Sequence, residues 1–322
     1  MSTLDVTGIG AMNLDHLYRV DEIVGDGEQV VTESMSFPGG SAANTVYGLA
    51  KLGVNTGFVG AVGADKAGKQ LIESLRAAGM DISQIRVKRA AHTGTATCIS
   101  DNLGRRAIYL SPGANDLLTA KDIDLHYVKQ SQLVHFSSFV SEAQFALQID
   151  VAKKLGDKVK ISLALGMLYA SKGLKALAPL LERSHISYMN RDEIEKLTGL
   201  DFRNGARKCL GLGCCIVVVT LGKGIARDKD RTITSYILDA KGEYEIEAVK
   251  TSAGSKLETV GAGDALAAGF LFGLLKDKEI AECGLLGDIM AHFAIREPGA
   301  RMGLPTLAEL SLEYRKRSGR QF

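Results

Sequence analysis

Three glycine-bearing stretches carry residues able to do chemistry, and the sharpest is Gly261-Ala262-Gly263-Asp264, which runs straight into Ala265-Leu266-Ala267-Ala268-Gly269-Phe270-Leu271. Glycines ahead of a strong helix former leave backbone N–H groups exposed at the helix's positive end, where an anion binds. Asp264 then has two readings. In the first turn it complements the helix dipole; beside an anion site it takes a proton from an attacking hydroxyl, the arrangement phosphoryl transfer needs. In Pro38-Gly39-Gly40-Ser41-Ala42-Ala43-Asn44-Thr45, two glycines let a ligand approach the backbone and Asn44 lies one turn from Ser41. Ser41 is either a ligand contact or a plain helix N-cap. Gly10-Ala11-Met12-Asn13-Leu14-Asp15 follows the first strand, so Asn13 and Asp15 lie where ligands bind in open α/β sheets, at the carboxyl ends of strands. Paired polar groups there suit a vicinal diol.

Asn190-Arg191-Asp192-Glu193 places an amide and a carboxylate three residues apart at a helix start. Either they cap that helix or they hold hydrated Mg²⁺ near phosphates. Val217-Val218-Val219-Thr220-Leu221-Gly222-Lys223-Gly224 reads as a buried strand ending in a tight glycine turn, suited to backbone contact with a nucleotide. Other chemistries find no support. Gly8-Ile9-Gly10 has Asn13 where a dinucleotide fingerprint needs its third glycine, and no P-loop signature occurs. The six histidines include no HExxH, and the five cysteines form no CxxC pair, so a zinc site and a disulfide framework are both unsupported and the thiols read as reduced and buried.

Short β-rich runs alternating with helical ones must position these residues. Val6 to Ala11, Asn55 to Val62, Leu133 to Ser137, Lys158 to Leu163, Ile186 to Met189 and Cys215 to Leu221 read as strands; Ser41 to Leu52, Gly68 to Ala78 and Asp192 to Leu197 read as helices. That alternation predicts an α/β fold with a mainly parallel, doubly covered sheet. Segments 14–37 and 94–110 break it and fit antiparallel hairpins, the second around Asp101-Asn102-Leu103-Gly104, projecting as a lid that closes over a ligand. One domain over residues 1–322 is expected, with these two lid segments.

The chain has 322 residues, 46% hydrophobic, with 39 Lys+Arg against 37 Asp+Glu for a net charge of +2, which points away from nucleic acid and anionic membranes and toward small molecules. The start, Met1-Ser2-Thr3-Leu4-Asp5-Val6, lacks a basic segment followed by an apolar one. The longest apolar stretch, Ala265 to Leu275, falls short of the roughly 20 residues that span a bilayer, so a cytoplasmic location is expected.

In this order, from Val6 to Pro305, the segments resemble the ribokinase, or PfkB, family of carbohydrate and nucleoside kinases, most specifically in the loop Thr259 to Asp264 and its helix. The resemblance implies a three-layer α/β/α domain with a small β lid, ATP and Mg²⁺, and transfer of the γ-phosphate to a hydroxyl, usually a primary one. It implies Asp264 as catalytic base and Gly261, Ala262 and Gly263 as the anion hole. It also implies Asn190 and Glu193 in the magnesium and phosphate network, Thr220, Gly222 and Gly224 at the nucleotide, and Asn13, Asp15, Gly40, Ser41 and Asn44 at the acceptor. Arg105 and Arg106 either reach phosphate from the lid or are solvated hairpin charges. Glu258 stands where the family usually has Asp in a loop that often supports a monovalent cation, leaving K⁺ open. Asp288 lies where many members place Asn near the adenine. The run Gly39 to Asn44 lacks the Lys that follows the glycines in ribokinases proper, and the chain looks closer to archaeal-type nucleoside kinases. A nucleoside is therefore the expected acceptor, a free sugar the alternative, and a non-catalytic nucleotide or metabolite binder the alternative of another class. Lid strands with exposed apolar residues could pair two copies into a homodimer.

Overall fold

The computed structural model describes residues 4–103, 105–228, 231–247 and 260–320. Among them the strands run in chain order as β1 (Val6–Ile9), β2 (Asn13–Val20), β3 (Val31–Gly39), β4 (Thr56–Gly63), β5 (Ile85–Lys88), β6 (Gly94–Asp101), β7 (Arg106–Ser111), β8 (Leu133–Ser137), β9 (Lys160–Ala164), β10 (Ile186–Asn190), β11 (Ile216–Ala226), β12 (Thr232–Asp239) and β13 (Glu243–Glu247). The α-helices are α1 (Ser41–Lys51), α2 (Lys66–Ala77), α3 (Leu125–Val128), α4 (Glu142–Lys154), α5 (Gly166–Ala170), α6 (Leu174–Leu181), α7 (Arg191–Thr198), α8 (Phe202–Gly211), α9 (Ala262–Leu275), α10 (Ile280–Ala294) and α11 (Leu307–Ser318).

Alternation along a strand sorts side chains to opposite faces, and β11 shows why both faces must be covered. Its Ile216 and Val218 join a core with α1, α2 and α9 to α11, whereas Val217 and Val219 join a second core with α3 to α8. The sheet between these helical layers has the order β13-β12-β11-β10-β9-β8-β1-β4-β5. Every ladder from β11 to β5 is parallel, as the alternating pattern predicts. The antiparallel edge strands β12 and β13 are not among the expected strands.

Helix α9 is apolar on all sides and buried from Ala265 to Gly273. Its small residues bring backbones together: a methyl group at Gly269 would lie 2.4 Å from the Leu286 carbonyl oxygen of α10, and one at Gly48 of α1 would lie 2.9 Å from the Ala268 Cβ. Held this closely, α1 and α9 bring their N-termini to one place.

The segments predicted as lid hairpins, β2/β3 and β6/β7, are each antiparallel, and parallel pairing of β2 with β6 joins them into one separate four-stranded sheet. The Asp101 carboxylate ties the hairpins together, accepting from the backbone N–H groups of Ile23 (3.2 Å) and Arg105 (2.9 Å) and from Arg105 Nε (2.7 Å). Arg105 also pairs with Glu22 at 3.0 Å, so its charge is spent within this sheet.

Three local expectations are corrected. Helix α2 starts at Lys66 rather than Gly68, because the Asp65 carboxylate caps it by accepting from the Gly68 N–H at 2.8 Å. The expected tight turn after Leu221 is instead an irregularity inside β11: Gly222 and Gly224 take φ of 61° and 82°, and regular pairing with β12 resumes at Ile225. Four cysteines are free and buried, but Cys215 is exposed; it and the buried Cys214 precede β11 side by side. Among the described residues no helix is long and apolar enough to cross a membrane.

Candidate active site

The end of β1 and the starts of β2, α1 and α9 meet at a pocket of about 200 Å³ whose walls include Asn13, Asp15, Gly40, Ser41, Asn44, Gly261 and Asp264. Residues more than 200 positions apart thus converge, and glycines make the approach possible. A methyl at Gly10 would fall 2.7 Å from both the Ala42 Cβ and Ser137 Oγ; one at Gly40, φ 97°, would strike the Ala11 carbonyl oxygen at 2.1 Å.

Gly40, not Ser41, is the N-cap of α1, and Ser137 Oγ accepts from the Ala42 N–H at 3.0 Å. Ser41 is thereby free to turn its hydroxyl to Asp264 Oδ1, donating at 2.7 Å, while Asn44 Nδ2 donates to Asp264 Oδ2 at 2.8 Å. The carboxylate is held by two donors.

Burial pushes the Asp264 carboxyl up to about 6, against the hydrogen bonds from Asn44 and Ser41 and the positive charge of Arg301, which pull it down. Burial likewise pushes Asp15 up to about 7; Arg301 opposes this and the nearby Asp264 charge adds to it. Asp15 Oδ1 is buried with no hydrogen-bond partner among the described residues, an unsatisfied acceptor on a residue that lines the pocket.

The residues expected near nucleotide and metal lie on neighbouring strands. Thr220 of β11 pairs with Asn190 at the end of β10. Asn190 and Glu193 form a reciprocal capping box on α7: Asn190 Oδ1 accepts from the Glu193 N–H at 2.8 Å, and Glu193 accepts from the Asn190 N–H and Nδ2, each at 2.9 Å. The capping reading therefore holds. The Glu193 carboxyl is nonetheless pushed up by burial, with the charges of Asp264 and Asp192 adding to it, so negative charge gathers on this side of Asp264. No cluster of three metal-ligating side chains occurs among the described residues. Glu258 and Thr259 lie outside the described residues. Asp288 accepts from Thr234 Oγ1 at 2.8 Å and pairs with Arg317 of α11 at 3.1 Å.

Two residues at the site escape sequence reasoning. Asn115 clamps the turn after β1: its Oδ1 accepts from the Met12 N–H at 2.9 Å, and its Nδ2 donates to Asn13 Oδ1 at 2.9 Å. The polar turn Pro112-Gly113-Ala114-Asn115 was its only sequence signal. Arg301, 7% exposed, donates through Nε to Asn44 Oδ1 at 2.8 Å. Nothing in its neighbours, Ala300 and Met302, announces a buried charge.

A mainly parallel sheet covered on both faces, a small second sheet beside the pocket, and a carboxylate at a glycine-led helix start define a ribokinase-type kinase architecture. Residues 3–307 match the model of the pfkB family carbohydrate kinases, and the chain belongs to that family. It is 35% identical to an uncharacterized sugar kinase of Archaeoglobus fulgidus, over 80% of this chain and 98% of that one. It is 26% identical to a nucleoside kinase of Methanocaldococcus jannaschii, over 94% of this chain and 93% of the relative. The crystal structure of a ribokinase from Thermotoga maritima superimposes with a TM-score of 0.80 at 26% identity, covering 97% of this chain and 99% of that one.

Proposed function

We propose that this kinase transfers the γ-phosphoryl group of ATP to the primary hydroxyl of an uncharged, ribose-bearing acceptor, a nucleoside in the first instance. The observation that carries this reading is the pocket's lining. Asn13, Asp15, Asn44 and Asp264 supply polar groups, Leu110, Phe139, Val140 and Leu168 supply an apolar wall, and no Lys, Arg or His lines it among the described residues. A phosphorylated acceptor would meet two carboxylates and no cationic side chain. A diol satisfies the orphan Asp15 Oδ1, and the apolar wall suits a base.

The residues then divide the work as follows. Acceptor hydroxyls bond Asn13, Asp15 and Asn44 beneath Gly40, with the small sheet as a lid that excludes water. Asp264 takes the proton of the primary hydroxyl as its oxygen attacks the γ-phosphorus, the bond to the β-phosphate oxygen breaks, and ADP leaves with those electrons. Backbone N–H groups of Gly261, Ala262 and Gly263 receive the charge of the moving group, and Ser41 and Asn44 keep Asp264 aimed. The irregularity in β11 at Gly222 and Gly224, next to Thr220, supplies backbone contacts to the nucleotide. Asn190 and Glu193 fit Mg²⁺ held through water, since their oxygens keep free lone pairs where Glu193, Asp192 and Asp264 concentrate negative charge. When bound, Mg²⁺ offsets charge on the phosphates.

A free pentose is the second reading, favoured by size: about 200 Å³ is small beside the roughly 300–1,000 Å³ of most ligand pockets. ADP release measured with ATP and Mg²⁺ over nucleosides, free sugars and sugar phosphates separates the cases. Nucleoside turnover supports the first reading, free-sugar turnover alone replaces it with the second, and sugar-phosphate turnover alone overturns both. No turnover with any acceptor would favour a binding role.

The base reading carries a pH prediction. Proton abstraction needs Asp264 ionised, so activity is lost as pH falls through its folded pKa, and both Asp264 (about 6) and Asp15 (about 7) titrate above the ordinary carboxylate range. The acid limb of kcat/KM is expected between these values, with a plateau above; a limb near the ordinary carboxylate pKa of about 4 would contradict it. Exposed Met35 and Ile108, which share one face of the small sheet, are apolar surface a second copy would cover in a homodimer.

A further inference from the structure

Arg301 precedes α11 and is almost wholly buried, yet no carboxylate pairs with it directly among the described residues. Its guanidinium spreads over three elements instead. Nε donates to Asn44 Oδ1 of α1 at 2.8 Å, Nη2 donates to the Gly39 carbonyl at the end of β3 at 3.1 Å, and Nη1 donates to Ser74 Oγ of α2 at 3.2 Å. The fork also lies over the Tyr47 ring, 5.0 Å from its centroid. A buried charge whose hydrogen bonds all go to neutral groups is costly, so its retention calls for a purpose that an apolar residue could not serve.

The Asn44 amide supplies that purpose. An amide can present either end to Asp264, and only its NH₂ end suits a carboxylate. Because Arg Nε is a donor and never an acceptor, it takes the oxygen of Asn44 and leaves Nδ2 facing Asp264 Oδ2 at 2.8 Å. The same fork grips the Gly39 carbonyl, against whose residue Asp15 packs: a methyl at Gly39 would fall 2.0 Å from Asp15 Oδ2.

We propose that Arg301 is a positioning residue for phosphoryl transfer, locking the Asn44 amide with its NH₂ toward Asp264 and holding a fixed positive charge beside Asp15 and Asp264. Burial draws Arg301 down to about 10, so it remains charged at neutral pH. The charged groups that face this cluster are Asp15 on β2, Asp264 on α9 and Glu193 on α7, with the Tyr47 hydroxyl on α1. Arg301 is the member that favours the ionised carboxylates.

The proposal rests on Asp264 being the base, and the test separates the two ideas. The full-length chain, with ATP, Mg²⁺ and the acceptor turned over in the panel, is compared with R301M, R301K and D264N for kcat, KM and thermal melting across the acid limb. R301M is expected to move the limb upward by about one pH unit or more, because a charge is lost beside both carboxylates. R301K keeps the charge and so the limb, but one ammonium cannot replace the fork, and acceptor KM is expected to rise about tenfold. If D264N retains full rate, the base assignment falls. If D264N is inactive while R301M leaves the limb in place and R301K leaves KM in place, the Arg301 proposal alone is overturned. Where R301M does not fold, the acceptor KM of R301K decides.

Discussion

Asp264→Asn is expected to lower kcat by about 10²- to 10⁴-fold, the range of a lost general base, while the protein melts at the same temperature or slightly higher at pH 8. The two hydrogen bonds that hold the side chain survive the change. Asn44 Nδ2, now 2.8 Å from Oδ2, can donate to the amide oxygen, and the Ser41 hydroxyl, 2.7 Å from Oδ1, can rotate to accept from the new NH₂. The sign of the stability effect follows from burial. A carboxyl raised to about 6 in the folded state contributes stability below its unfolded pKa, and that contribution is lost as pH rises through 6. A neutral amide removes the cost of keeping an ion there at pH 8. Single-turnover rates and a melting curve check both halves; full activity would remove Asp264 from the chemistry.

Gly261→Ala is the second large effect. Gly261 caps α9 with φ 80°, a left-handed conformation that costs other residues about 1–2 kcal/mol. Its added methyl would also lie 2.4 Å from the Ala300 Cβ and 2.6 Å from the Ala300 Cα, so backbone must move. The N–H groups ahead of Asp264 move with it, and kcat is expected to fall about 10²- to 10³-fold, the size of a lost oxyanion donor. A methyl at Gly263 meets nothing within 4 Å, so Gly263→Ala should melt like the parent, whereas Gly261→Ala should melt lower. Equal melting and wild-type kcat for Gly261→Ala would show that the cap geometry is dispensable.

Where a glycine or an apolar run had one physical use, the sequence was readable. The strands from Val6, Leu133 and Ile186 are buried at every residue through Ile9, Ser137 and Met189 because both faces of the sheet are covered, and the glycines at 10, 40 and 261 mark sites where a Cβ would strike neighbouring atoms. Of the edge strands, β13 alternates strictly over Glu243 to Glu247, whereas β12 is buried at four consecutive residues, Ser235 to Leu238, and carries no clean period of two. The parallel joining of β2 to β6 was not readable, since each hairpin is locally self-sufficient and their pairing is a tertiary event. Arg301 and Asn115 were illegible for a related reason. Each acts through partners 257 and 103 residues away, and neither sits in a stretch of unusual composition.

The central claim is that a primary hydroxyl of an uncharged ribosyl acceptor meets Asp264. Proton-coupled ³¹P NMR of the product formed from the best acceptor in the panel reads this directly. The account predicts a single new phosphomonoester resonance split into a triplet by a neighbouring CH₂, from a phosphate on the 5′ oxygen. A doublet, which places the phosphate on a secondary carbon, or a product carrying two phosphates because the acceptor already bore one, would contradict it.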